Sequence, residues 1–219
     1  MNPIKQLFDL HCEMIPIIES PIYVALTGGI DSRILAGLLT KFGYTIDLGA
    51  YFYTEDTKHN IPHIEKLLNN LIYRNFEFIK RDLPDIKFQK SLQTLNKKYD
   101  LSQYTNLCHI HGMQAMGSLF SATKKKRELW LHYFHDYNLR PHDGAAFFKE
   151  VIYPFWNGYY VAFCYSLPKW YRFKHYGHIK MLKEYFPELV NVPLCREDKK
   201  PMPLDWLVVR KLLNDIGVK

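Results

Sequence analysis

Residues 24–39, VALTGGIDSRILAGLL, decide how the chain is read. An apolar, β-branched run from Pro21 to Leu26 gives way to two adjacent glycines and Asp31-Ser32-Arg33. Ile34, Leu35, Leu38 and Leu39 then recur at helical spacing up to Gly43. The run predicts a parallel strand buried on both faces, and the spacing predicts a helix over 32–42 with Gly43 as its stop. Glycines at such a junction let main-chain amides approach an anion at the positive end of the helix. The alternative is a tight βα turn whose glycines serve packing alone. The spacing excludes both GxGxxG and GxxxxGK[ST].

Outward from this turn, the pattern predicts an opening helix over Ile4–Ile18 and a second strand over Thr45–Tyr53. A helix over Ile61–Leu71 and a third strand over Tyr73–Ile79 follow. This β-α-β-α-β alternation predicts an α/β fold, a parallel sheet flanked by helices. Residues 87–101 are polar, Thr105–Phe120 reads as a helix, and Lys124–Glu128 as a charged turn. Glu128–Phe134 fits a fourth strand, with a helix as the alternative. From Gly144 the chain reads as mostly helical, broken at Pro154, Pro168, Pro187 and Pro193, and ends in an amphipathic stretch, Leu204–Leu213. One compact domain over 1–219 is expected, with a nucleotide-binding α/β part over 1–100 and a mainly helical part over 101–219.

Lys and Arg outnumber Asp and Glu by 29 to 22, giving a net charge of +7 that favours anionic partners. Four scattered cysteines without a CxxC pair argue against a disulfide framework and for a reduced, cytoplasmic setting. No apolar run reaches the ~20 residues of a membrane span, so no membrane partner is expected.

At LTGGIDSR the chain resembles the [ST]-G-G-x-D-S loop of the ATP-pyrophosphatase (PP-loop) superfamily, in its asparagine synthetase-like branch. The segment Tyr153–Pro193, with its Pro-Phe pair, its Leu167-Pro168 and its lysine-bearing helix ending near Pro187-Glu188-Leu189, is similar to the helical half of that synthetase domain. REDKKPMPLDW (Arg196 to Trp206) resembles its basic segment. The resemblance implies an adenine nucleotide alpha hydrolase-like fold with a helical C-terminal portion. It implies ATP bound by Leu26, Thr27, Gly28, Gly29, Asp31, Ser32 and Arg33; the topology of the expected sheet puts adenine and ribose near the end of the second strand, at Tyr51–Glu55, Tyr53 among them. Mg2+ would be held by Asp31 and by Asp143, the nearest counterpart (in RPHDGAAF) of the family's second acidic motif; a helix N-cap is the other reading of Asp143. Lys199 or Lys200 would be the catalytic cation that stabilises acyl transfer, with solvated loop charge as the alternative.

The activity so implied joins an unidentified carboxylate, activated as an acyl-adenylate with pyrophosphate release, to an amine. No glutaminase domain precedes the loop, so ammonia or the substrate itself is the expected amine source. A tRNA-modifying ATP pyrophosphatase and a catalytically silent nucleotide-binding protein are the competing readings, with nucleic acid the less favoured partner. Cys108, His109, His111, His132, His135 and His142 crowd the middle of the chain, but their spacing matches no zinc pattern. Aromatics interleaved with Lys169, Arg172, Lys174 and Lys180 read as the interior of a helical region rather than a stacking surface for RNA.

Overall fold

The computed structural model describes residues 2–81, 89–108, 145–155, 158–172, 175–195, 201–206 and 208–209. Among these residues, five parallel strands form one sheet: β1 (Ile22–Ala25), β2 (Leu48–Tyr53), β3 (Phe76–Lys80), β4 (Thr105–Leu107) and β5 (Glu150–Ile152), in the order β3-β2-β1-β4-β5. Val24 pairs with Gly49 on one side of β1, and Ile22 with Thr105 on the other. The helices are α1 (Pro3–Glu13), α2 (Ile30–Lys41), α3 (Ile61–Leu68), α4 (Gln89–Tyr99), α5 (Gly158–Ser166), α6 (Lys169–Arg172), α7 (Tyr176–Tyr185) and α8 (Pro187–Val190). The fold is therefore α/β with a parallel sheet, as the alternation predicts. No helix among the described residues is long and apolar enough to cross a membrane.

Apolar side chains alternate between two cores. Ile22 and Val24 of β1 face a large cluster that also holds Leu7 and Leu10 of α1, Ile34, Leu35 and Leu38 of α2, Ile64 and Leu67 of α3, and Met181 and Leu182 of α7. Tyr23 of β1, with Leu48 and Ala50 of β2, faces a smaller cluster closed by Leu92 and Leu95 of α4 and by Phe148. Burial on both faces explains the continuous apolar reading of these strands.

Several expected boundaries move. The first helix stops at Glu13 rather than Ile18, because Pro16 disfavours helical backbone at Ile15. β2 starts at Leu48 and β3 at Phe76; ahead of them Ile46 and Tyr73 make a lone parallel bridge. The polar stretch after residue 85 contains α4, whose buried stripe is Ser91, Leu92 and Leu95.

The helix expected over 105–120 is overturned at its start. Thr105–Leu107 is β4, set between β1 and β5, with Thr105 and Leu107 fully buried. β5 likewise lies where helix was expected, so the sheet draws two strands from beyond residue 100. The expected strand over 128–134, the charged turn over 124–128, Asp143, Lys199 and Lys200 lie outside the described residues, as does most of the C-terminal amphipathic stretch.

Candidate functional site

The order of the strands reverses at β1, which has β2 on one side and β4 on the other. In open α/β sheets the crevice at the carboxyl ends of such strands is where ligands bind. The turn Leu26–Gly29 leaves β1 there and enters α2. Leu26 is buried and its N–H donates to the Ala50 carbonyl at 3.0 Å, holding the turn to β2.

The two glycines do different work. Gly28 has φ +72, and a Cβ on it would stand 2.6 Å from both Cβ and Sγ of Cys195 and 2.8 Å from Ile64. It is a packing glycine in a left-handed conformation, as the bland reading requires. A Cβ on Gly29 would meet only Thr27 Oγ1, at 3.2 Å. Gly29 is the N-cap of α2, and no side chain among the described residues caps that end. The first amides of a helix have no intrahelical acceptor, so the α2 N-terminus, flanked by exposed Thr27 and half-buried Gly29, offers donors and positive potential to an anion.

Ser32 is fully buried and does not present its hydroxyl outward. Its Oγ accepts from Thr27 N–H at 3.1 Å and lies 3.0 Å from Thr27 Oγ1, while Gly29 N–H donates to Thr27 Oγ1 at 3.3 Å. The turn is thus held by its own side chains.

Arg33 corrects the expectation that it contacts ATP. It is fully buried, and its guanidinium donates from one terminal nitrogen to the carbonyls of Leu189 and Val192, at 2.8 and 2.7 Å. The other donates to Gly28 and Pro193, at 2.9 and 3.1 Å. Burial lowers its pKa to about 10, so it stays cationic. Cys195 N–H donates to the same Gly28 carbonyl at 3.2 Å, and burial pushes the Cys195 thiol up to about 11, leaving it protonated and unreactive. Arg33 therefore ties the turn to the segment that follows α8.

On the other side of the same helical turn, Asp31 meets a set of histidines that sequence reasoning missed. Its Oδ1 is buried without a hydrogen-bond partner among the described residues and lies 3.9 Å from His175 Nδ1. His175 caps α7 at φ +60, a backbone strain held outside glycine. Its Nδ1 is 3.4 Å from His178 Nδ1. His178 Nε2 is 3.1 Å from Tyr160 Oη, Tyr160 Oη is 3.2 Å from His11 Nε2, and His11 Nδ1 is 2.7 Å from the Leu7 carbonyl.

Donor logic fixes the protons along this chain. The Leu7 carbonyl only accepts, so His11 Nδ1 carries the hydrogen. Burial lowers His11 to about 4, so the ring is neutral and its Nε2 accepts from Tyr160. The Tyr160 oxygen then accepts from His178 Nε2–H, which leaves a lone pair on His178 Nδ1. Burial also holds His178 well below its ordinary pKa and raises that of Asp31, the latter opposed by the nearby His175.

The HxxH spacing of 175 and 178 is the one sequence signal for this cluster. What it lacks is any hint that Asp31, Tyr160 and His11 converge on it. Tyr53 ends β2 with a half-buried ring against the larger core, its plane 14° from that of Tyr51. No protein-family model and no curated protein matches the chain, so its function is read from this geometry.

Proposed function

We propose that the chain is an ATP-dependent amide-forming enzyme of the asparagine synthetase-like, PP-loop kind. It activates a carboxylate as an acyl-adenylate, releases pyrophosphate, and passes the acyl group to ammonia or to an amine of the substrate. The observation that carries this reading is the N-terminus of a twelve-residue helix, without a side-chain cap among the described residues, directly after the central strand and beside the Gly28-Gly29 turn. The first amides of α2 are the donors proposed for the phosphates, with Thr27 and Gly29 lining their approach, and Tyr53 marks the proposed place of adenine and ribose.

Asp31 suits the cation that accompanies a triphosphate, because its buried Oδ1 has no hydrogen-bond partner among the described residues. Mg2+ held there with Asp143 would neutralise the charge that builds on the leaving pyrophosphate. Lys199 or Lys200 remains the proposed cation for the acyl-transfer step.

The test is AMP and pyrophosphate release. Protein, ATP and Mg2+ are mixed with pools of carboxylates and amines, then separately with unmodified tRNA. Turnover with carboxylate and amine supports the reading. Turnover with tRNA alone replaces it with tRNA modification, and ATP binding without turnover in any pool replaces it with a silent nucleotide binder.

A further inference from the structure

Among the described residues, Asp31, His175 and His178 are the one group of three metal-capable side chains whose ligand atoms all lie within 4.8 Å of one another. We infer that they form a binding site for a divalent transition-metal ion of the Zn2+ or Co2+ class, with Nδ1 of both histidines and a carboxylate oxygen of Asp31 as ligands.

The distances suit such an ion. Two ligand atoms about 2.1 Å from a tetrahedral centre stand about 3.4 Å apart. The two Nδ1 atoms are 3.4 Å apart, His175 Nδ1 is 3.9 Å from Asp31 Oδ1, and Asp31 lies within 4.8 Å of His178, so the carboxylate must turn inward to complete the set. His178 arrives already in the ligating tautomer, because the path from the Leu7 carbonyl through His11 and Tyr160 fixes its hydrogen on Nε2. A hydrogen bond on the far ring nitrogen is the usual support of a metal-bound histidine. His175 ligates with its proton on Nε2, so that Nδ1 faces the ion. Binding also gives the orphaned Asp31 oxygen a partner.

The chemistry selects the ion. Two imidazoles and one carboxylate favour Zn2+ and Co2+ over Mg2+, which prefers oxygen ligands. His178 is fully buried, whereas the side chains of His175 and Asp31 keep 20% and 19% of their exposure. The ion enters from that side, and water completes its coordination there. The site shares Asp31 with the nucleotide reading but needs no nucleotide, so either proposal can fail alone.

The test uses the full chain, stripped of metal by chelation and titrated with Co2+ in the absence of ATP. The account expects one Co2+ per chain with the intense visible bands of low-coordinate Co2+, displaced by stoichiometric Zn2+ and untouched by a large excess of Mg2+. His175→Gly removes a ligand while suiting the left-handed backbone, and Asp31→Asn removes another without changing shape. Each should weaken binding at least tenfold with the far-ultraviolet circular dichroism unchanged. Tyr160→Phe keeps the ring but cuts the path to His11, and should weaken binding about tenfold to a hundredfold. Absence of a saturable Co2+ spectrum overturns the site, and so does an affinity unchanged in both His175→Gly and Asp31→Asn.

Discussion

Asp31 and Arg33 stand two residues apart on the first turns of α2, the first partly buried with one oxygen shielded and the second fully buried, and their surroundings differ in kind. Arg33 has four carbonyl acceptors on its terminal nitrogens, and only its Nε lacks one among the described residues. Asp31 has a buried oxygen with no hydrogen-bond partner among those residues and a histidine 3.9 Å away. A buried charge whose partners are in place holds structure together. A buried charge left short of partners costs stability and is kept where it has something to bind. A related contrast separates the glycines: Gly28 is filled against Cys195 and Ile64, whereas a Cβ on Gly29 would press on Thr27 Oγ1 at 3.2 Å, within its own turn.

The largest effect that would break this comparison is at Arg33. Arg33→Met strands four carbonyls and should cost about 4 kcal/mol of stability by urea denaturation. Arg33→Lys should recover little of it, since one ammonium cannot reach both sets of acceptors. A loss under about 1 kcal/mol would mean the clamp is not structural.

The histidine path predicts a pH dependence of similar size. His11 has a folded pKa of about 4 against an ordinary 6.5. Between those values the unfolded chain binds more protons, so its contribution is complete above pH 6.5 and is lost as pH falls toward 4. For His11 alone the loss is about 3 kcal/mol, and His178 adds in the same direction. His11→Phe, which keeps an aromatic ring beside Phe155 and Tyr160, should flatten this slope between pH 7 and 4. An unchanged slope would contradict the neutral ring.

Gly28→Ala combines a left-handed backbone with a 2.6 Å clash and should cost about 2–3 kcal/mol. Gly29→Ala should cost under about 1 kcal/mol. Gly43→Ala is the control: φ is +77 but nothing lies within 4 Å, so only the backbone penalty of about 1 kcal/mol remains. Equal losses at 28 and 43 would remove the packing role.

The smallest stability effect is at Asp31. Burial raises its pKa above 3.8, so the carboxylate weighs against folding at neutral pH and ceases to do so once protonated at low pH. Asp31→Asn should therefore be at least as stable as the parent at pH 7 while losing all ATP turnover. Destabilisation with activity retained would invert the contrast with Arg33.

The fold was legible where a strong local signal coincided with a buried element. The β1 run, its glycines and the α2 periodicity are such a case, and so is Gly43, whose positive φ follows the helix it stops. β4 and β5 escaped because three residues carry no period; Thr105-Asn106-Leu107 becomes a strand only because β1 and β5 lie beside it. α4 escaped because only Leu92 and Leu95 mark its buried side in a polar stretch.

At the site, the junction with its glycines and Asp31 was legible, but what each side chain faces was not. A guanidinium after GGxDS suggests phosphate, yet Arg33 turns to the Gly28 carbonyl and to three carbonyls 156 to 160 residues later. The convergence of His11, Tyr160, His175 and His178 on Asp31 is likewise made by packing of α1, α5 and α7, not by spacing along the chain.

The most direct test of the central claim, that the turn after β1 and the N-terminus of α2 hold the phosphate tail of ATP, is calorimetric titration of ATP with Mg2+ into the full chain and into Gly29→Ala. One saturable site per chain is predicted in the parent, weakened at least tenfold by a methyl group at Gly29 while urea stability falls by less than about 1 kcal/mol. No saturable heat at millimolar ATP, or equal affinity in the two proteins, would contradict it.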